Sequence, residues 1–316
     1  SSASSISPQS TAGCVLSTRP NVADDPPAPT NRPMPSVDAR FPAEIAPGVF
    51  SLPDRRIPLV PNIGIVVGTE RVLVVDCGLG MDSAEAVLAT AMRLAPGREI
   101  VLTITHAHPE HGLSAQVFKN DARIFYNGAQ RDHLLRSGQA LLDGFRGFVL
   151  PDEHKHLLDG IVITEPDETY DGATAAIDLG SREVVLRSFG TAHSPGDQII
   201  HVPDAGVVFA GDLVEERIYP IVPFFPPMIG AEDINLPRWT DVLGEIASLE
   251  PRILVPGHGS LGGVKIAEDV AGYLRALEEV SMLDLSADAI EAELRRRYPT
   301  WEHPHFIAPA IRYVTR

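Results

Sequence analysis

The chain predicts an α/β fold, a four-layer αββα sandwich with its site at a sheet edge. Three observations predict it: apolar β-branched runs recur along the chain, helical patterns separate them into two similar halves, and histidines and carboxylates gather where the runs stop.

Gly48-Val49-Phe50-Ser51-Leu52, Ile63-Gly64-Ile65-Val66-Val67 and Arg71-Val72-Leu73-Val74-Val75 read as strands, the last two joined across Gly68-Thr69-Glu70. Asp82 to Leu94 has helical composition, with an Asp82-Ser83 start and a Pro96-Gly97 stop. Ile100 to Thr105 has the length and branching of a buried strand. Ala122 to Tyr126 gives another strand, and Gln130 to Phe148 a longer helix. In the second half Glu183 to Ser188 and Gly206 to Asp212 read as strands, and Leu236 to Leu249 as a helix before the strand that ends at His258. Ile266 to Arg297 is helical in pattern, and Ala287 to Arg297 runs from acidic to basic in the order the helix dipole favours.

The 316 residues are enough to bury a large core. A formal net charge of -16 argues against a nucleic-acid backbone or an anionic membrane as main partner and leaves a small-molecule substrate. No run of about 20 apolar residues suggests a membrane span. Residues 1–40 are Ser/Pro-rich and read as an N-terminal arm, followed by a catalytic domain over 41–316 with a C-terminal helical extension. An arm ordered on a neighbouring subunit would make a homodimer. Cys14 and Cys77 do not amount to a disulfide framework, and no signal peptide is expected in the chain as given. Periplasmic, secreted and cytoplasmic locations all fit.

The densest chemistry lies directly after Thr105, in His106-Ala107-His108-Pro109-Glu110-His111. Such crowding has few structural uses, because each imidazole and carboxylate must be hydrogen-bonded or coordinated once it leaves water. An extended chain through His108 would point His106 and His108 to one side, where they could share an ion. Pro109 then starts a turn or helix that swings Glu110 and His111 toward a second, adjacent position. Three further candidates each follow an apolar run: His193, Asp212 and His258.

With these residues in view, the chain resembles the metallo-β-lactamase superfamily, whose signature is His-x-His-x-Asp-His, a distant His, a Gly-Asp pair and a later Gly-His. The match spans roughly residues 45 to 280. The resemblance implies an αββα sandwich of that family's type and two divalent metal ions, with zinc the expected metal. By the family pattern, His106, His108 and His193 would hold one ion, Glu110, His111 and His258 the other, and Asp212 would bridge them. Asp76, where the family commonly has Asp before Thr-Gly or Cys-Gly, would orient a ligand.

One position departs from the pattern. Glu110 stands where most members have Asp, and its extra methylene moves the carboxylate by about 1.5 Å against metal-ligand tolerances of about 0.2 Å. It reaches the second ion through another rotamer, holds only the attacking water, or leaves that position weak.

The expected function is a metal-dependent hydrolase that uses a metal-bound hydroxide to cleave an ester, lactone, thioester or amide. Glu110 and Asp212 are the candidate catalytic carboxylates. Phe224 and Phe225, in the proline-stiffened Tyr219 to Met228 segment, are the candidate substrate wall. A β-lactamase and a mononuclear iron oxygenase of the same fold are the alternatives. Asp197 is expected to close the Ser194-Pro195-Gly196 turn. His133, His154, His156, His201, His303 and His305 match no family position and are expected on solvated surface.

Overall fold

The computed structural model describes residues 33–223 and 233–315. The account below concerns the compact unit Met34–Arg316. Residues 1–32 of the expected arm, and the candidate wall residues Phe224 and Phe225, lie outside the described residues.

The first half contains β1 (Ala43–Ala46), β2 (Val49–Leu52), β3 (Ile63–Val67), β4 (Arg71–Val75), α1 (Met81–Leu94), β5 (Glu99–Thr103), the single turn α2 (Pro109–Gly112), β6 (Ala122–Asn127), α3 (Gly128–Gly144) and β7 (Glu168–Tyr170). Its strands form one sheet in sequence order, antiparallel from β1 to β4 and parallel from β4 to β7.

The second half contains β8 (Thr174–Asp178), β9 (Glu183–Thr191), β10 (Pro195–Val202), β11 (Val207–Glu215), α4 (Leu236–Ser248), β12 (Ile253–His258), α5 (Lys265–Ser281), α6 (Ala287–Arg297) and α7 (Ile307–Val314). Its sheet has the order β12-β11-β10-β9-β8, with only the β11–β12 pair parallel.

Three apolar clusters produce the four layers. Val49, Val66, Leu73 and Val101 of the first sheet meet Leu186, Ile200, Val207 and Phe209 of the second. The outer face of the first sheet packs on α1 and α3, and that of the second on α4, α5, α6 and α7. The central strands are therefore buried on both faces, which is why β4, β5 and the Val207–Ala210 start of β11 read as apolar runs rather than alternating ones. The sheets approach closely at Gly64, where an added Cβ would run into the Phe209 ring.

The structure differs from the sequence expectation in several places. The Gln130 to Phe148 helix is α3 with an Asn127/Gln130 capping box, continued by one π-helical turn at Phe145–Val149. The Ile266 to Arg297 stretch breaks at exposed Met282, Leu283 and Leu285 into α5 and α6, the second capped by Ser286. These helices pack in the outer layer beside α4. At the other end, Val37 and Ala39 are buried against α1, so the core reaches into the 1–40 span. No helix among the described residues is long and apolar enough to cross a membrane.

Candidate metal centre

Both sheets deliver their ligand-type residues to one edge. The loop leaving β5 carries His106 and His108, and α2 carries Glu110 and His111. His193 sits in the β9–β10 turn, Asp212 lies within β11, and His258 closes β12. The expected extended run through His108 is not seen: the chain bends at Thr105, His106 and His108, though His108 itself is an N-cap with φ -69° and ψ 154°, and Pro109 opens the turn that carries Glu110 and His111.

The structure brings all seven side chains together in two groups. Ligand atoms of His106, His108, His193 and Asp212 lie within 4.8 Å of one another, and so do those of Glu110, His111, Asp212 and His258. Asp212 belongs to both: its Oδ2 is 3.5 Å from His106 Nε2, and its Oδ1 is 3.3 Å from His111 Nε2 and 3.7 Å from His258 Nε2. Glu110 thus joins the second group despite its extra methylene.

Hydrogen-bond partners fix how the imidazoles are presented. Asp76 follows β4 with φ 67°, and its carboxylate accepts from Thr105 N at 2.6 Å and Thr105 Oγ1 at 2.9 Å. The same carboxylate meets His111 Nδ1 at 2.9 Å, so that nitrogen carries hydrogen and Nε2 faces Asp212. The hydroxyl hydrogen of Thr105 is directed at Asp76, so its oxygen accepts from His106 Nδ1 at 3.1 Å. His258 Nδ1 donates to Val60 O at 3.0 Å. In all three rings Nε2 is therefore the nitrogen turned to the centre.

Beneath the ligand loop lies a buried amide network. Gln130 Nε2 donates to Ile104 O and Thr105 O, Gln198 Nε2 to Thr103 Oγ1 and Ile104 O, and Gln198 N to Thr105 O. The loop's backbone is thereby satisfied before its imidazoles are placed. His193 packs edge-on to Trp239 with ring centroids 5.0 Å apart, and the indole donates to Leu213 O. Asp197 closes the turn as expected, accepting from Ser194 N and Ser194 Oγ.

The electrostatics call for a cation. Burial would raise the Asp212 carboxyl, but His111, His258 and His106 outweigh it and hold it well below the usual range. Burial would lower His111, yet Asp212 and Asp76 lift it well above an ordinary imidazole. Burial first, then neighbouring imidazoles, holds His106 and His108 well below the ordinary value, so both are neutral and ready to coordinate. His106 Nε2, His111 Nε2, His193 Nδ1, Glu110 Oε2 and Asp212 Oδ1 are buried without a hydrogen-bond partner. Unsatisfied buried atoms of this kind are costly and converge here from several elements. The donor set fits divalent metal ions.

Three features were missed from the sequence. Glu215 ends the fully buried β11, with Oε2 unpartnered and its carboxyl raised by burial and by the Asp212 and Glu110 carboxylates. A second carboxylate three residues after Asp212, beyond apolar Leu213 and Val214, was its available signal. His133 and His154, expected on solvated surface, are buried at 1% and 6% exposure; α3 turns His133 inward, and Arg136 one turn further along the same helix meets its ring. The third is the β2–β3 loop around His258. His303 and His305 join no metal-type group among the described residues.

A two-sheet sandwich with paired His/carboxylate pockets at one edge defines the class of metal-dependent hydrolases. The chain belongs to the metallo-beta-lactamase superfamily, whose family model matches residues 56–258. Solved structures share the fold. TMB-1 superposes with a TM-score of 0.56 at 14% identity, covering 77% of this chain and 98% of that one. A metallo-beta-lactamase from Pontibacter korlensis gives 0.56 at 16% identity, covering 74% and 98%. A double mutant of the sec-alkyl sulfatase PisA1 gives 0.61 at 15% identity, covering 86% of this chain and 49% of that one. No curated protein matches.

Proposed function

We propose that the protein is a dinuclear metallohydrolase, with zinc as its metal, acting on an ester, lactone, thioester or amide. The observation that carries this reading is Asp212, whose two oxygens face the two pockets from one carboxylate. His106, His108 and His193 would hold one ion, and Glu110, His111 and His258 the other.

A bound divalent ion would supply hydroxide at neutral pH by lowering the pKa of its water from about 15.7 to about 7. The chain's own residues do the rest. Asp212 would be shared by the two pockets and so would set their spacing. Glu110 carries two carboxylate oxygens, so one could hold the ion while the buried, unpartnered Oε2 accepts a proton from the attacking water and passes it to the leaving group. Asp76 and Thr105 keep His111 and His106 in one tautomer through the cycle.

The test is metal analysis of protein purified without added metal, paired with a screen of ester, lactone, thioester, β-lactam and alkyl sulfate substrates. Two zinc ions per chain and chelator-sensitive cleavage of a carbonyl substrate are expected. A single iron without hydrolysis would overturn the reading in favour of an oxygenase. Cleavage confined to β-lactams or sulfate esters would reassign the substrate.

A further inference from the structure

The β2–β3 loop, residues 53–62, has an unusual backbone. Arg55, Arg56 and Leu59 have φ of 51°, 55° and 65°, a left-handed region that side chains other than glycine rarely adopt. Such conformations persist where surrounding contacts over-determine them, and they concentrate at functional sites.

Here the contacts converge on the Pro256–Gly259 turn that carries His258. Buried Asn62 donates from Nδ2 to Pro256 O and Gly259 O, both at 2.9 Å, and from its backbone N to Gly257 O at 2.8 Å. Buried Asp54 accepts from Gly259 N at 2.7 Å. The two are tied together by Asp54 N donating to Asn62 Oδ1 at 3.0 Å. Val60 O receives His258 Nδ1–H at 3.0 Å. Arg56 pairs with Glu216 and Glu302, and Glu216 N in turn donates to His258 O. The backbone on both sides of His258, and the ring itself, are thus held by one loop.

We propose that Asp54 and Asn62 are positioning residues for the second pocket, which act by fixing the rotamer and tautomer of His258. The loop trades backbone strain for a preset ligand. Its contacts fall on His258 of the second pocket, while Asp212 is common to both. This inference rests on the two-pocket reading above.

The test compares full-length wild type, Asn62→Ala and Asp54→Ala, with Asp54→Asn as the conservative control, since an amide oxygen still accepts from Gly259 N and only the contact from Arg56 N to the other oxygen is lost. Zinc titration against a chromophoric chelator reads the two affinities. Side-chain nitrogen NMR of metal-free protein reads whether His258 keeps its hydrogen on Nδ1. The alanine variants are expected to bind the second ion about 10–100-fold more weakly, to leave the first within about twofold, and to lose the single Nδ1–H state. Asp54→Asn is expected to stay near wild type. Should an alanine variant fold poorly by circular dichroism, Asn62→Ser replaces it and the same outcomes decide.

Alanine variants that keep both second-ion affinity and the Nδ1–H resonance would overturn the proposal, as would equal weakening of both ions. A wild-type chain that takes up one ion would sink the paired-ion reading. The His258 resonance in metal-free protein would still decide the role of the loop.

Discussion

Asp76 Oδ2 and His111 Nδ1 stand 2.9 Å apart, and both residues are buried. The contact links the end of β4 to α2, so the strand that precedes the ligand segment orients an imidazole within it. Asp76→Asn keeps the shape but loses the charge that holds His111 in its tautomer. Second-ion affinity is expected to fall about 10–100-fold, read by metal titration, with a parallel loss in kcat/KM. An unchanged affinity would remove Asp76 from the centre.

Glu110 belongs to the second group, so its length suits the backbone here. Glu110→Asp restores the residue most members carry yet withdraws the carboxylate by about 1.5 Å, against a coordination tolerance of about 0.2 Å. The expected result is retention of one ion and loss of the other, counted by elemental analysis. Two ions at full occupancy would show that the pocket closes around the shorter side chain.

Gly257 has no room for a side chain, since a Cβ there would run into Asp212 Oδ1 and lie 2.7 Å from the Gly211 carbonyl carbon. Gly257→Ala must displace Asp212 or shift β12. Because Asp212 serves both groups, both ions are expected to bind more weakly, with about 1–3 kcal/mol lost in stability from overpacking. Urea unfolding and metal titration on one preparation check this.

His133 gives a pH prediction. Burial holds its imidazole below the ordinary value of 6.5; Asp233 and Asp197 oppose this, while Arg136 reinforces it. Arg136 Nη2 donates to Nδ1 at 3.0 Å, which places the hydrogen on Nε2. The folded state therefore keeps His133 neutral in a range where the unfolded chain takes up a proton. Its contribution to stability is full above about pH 6.5 and is lost as pH falls through 6.5 toward the folded value. In His133→Gln the stability slope between pH 7 and 5 should flatten by at most about 1.4 kcal/mol per unit. Parallel profiles for wild type and variant would mean that His133 does not titrate there.

Much of the centre was legible because its ligands follow strand ends. His106 to His111 is a local cluster, and Asp212 and His258 each close an apolar run, so topology alone carries them to one edge. β10 was not legible: Pro195-Gly196 reads as turn chemistry, but Pro195 occupies the first strand position, where no ladder donor is required. β1, β7 and β8 are short strands whose partly exposed faces lack an apolar pattern. His133 was misjudged because the charged residues around it on α3 conceal the face that turns inward. Asp54 and Asn62 carried no local signal, since their partners lie about 200 positions away.

Sharing Asp212 between pockets has a thermodynamic consequence. On the two-ion reading proposed above, an ion settling on one oxygen would alter the charge felt at the other, so the two uptake equilibria would be linked, and the factor by which the first occupant changes the affinity of the second would equal the reverse. Metal content would then respond to supply as a coupled pair rather than as two independent sites.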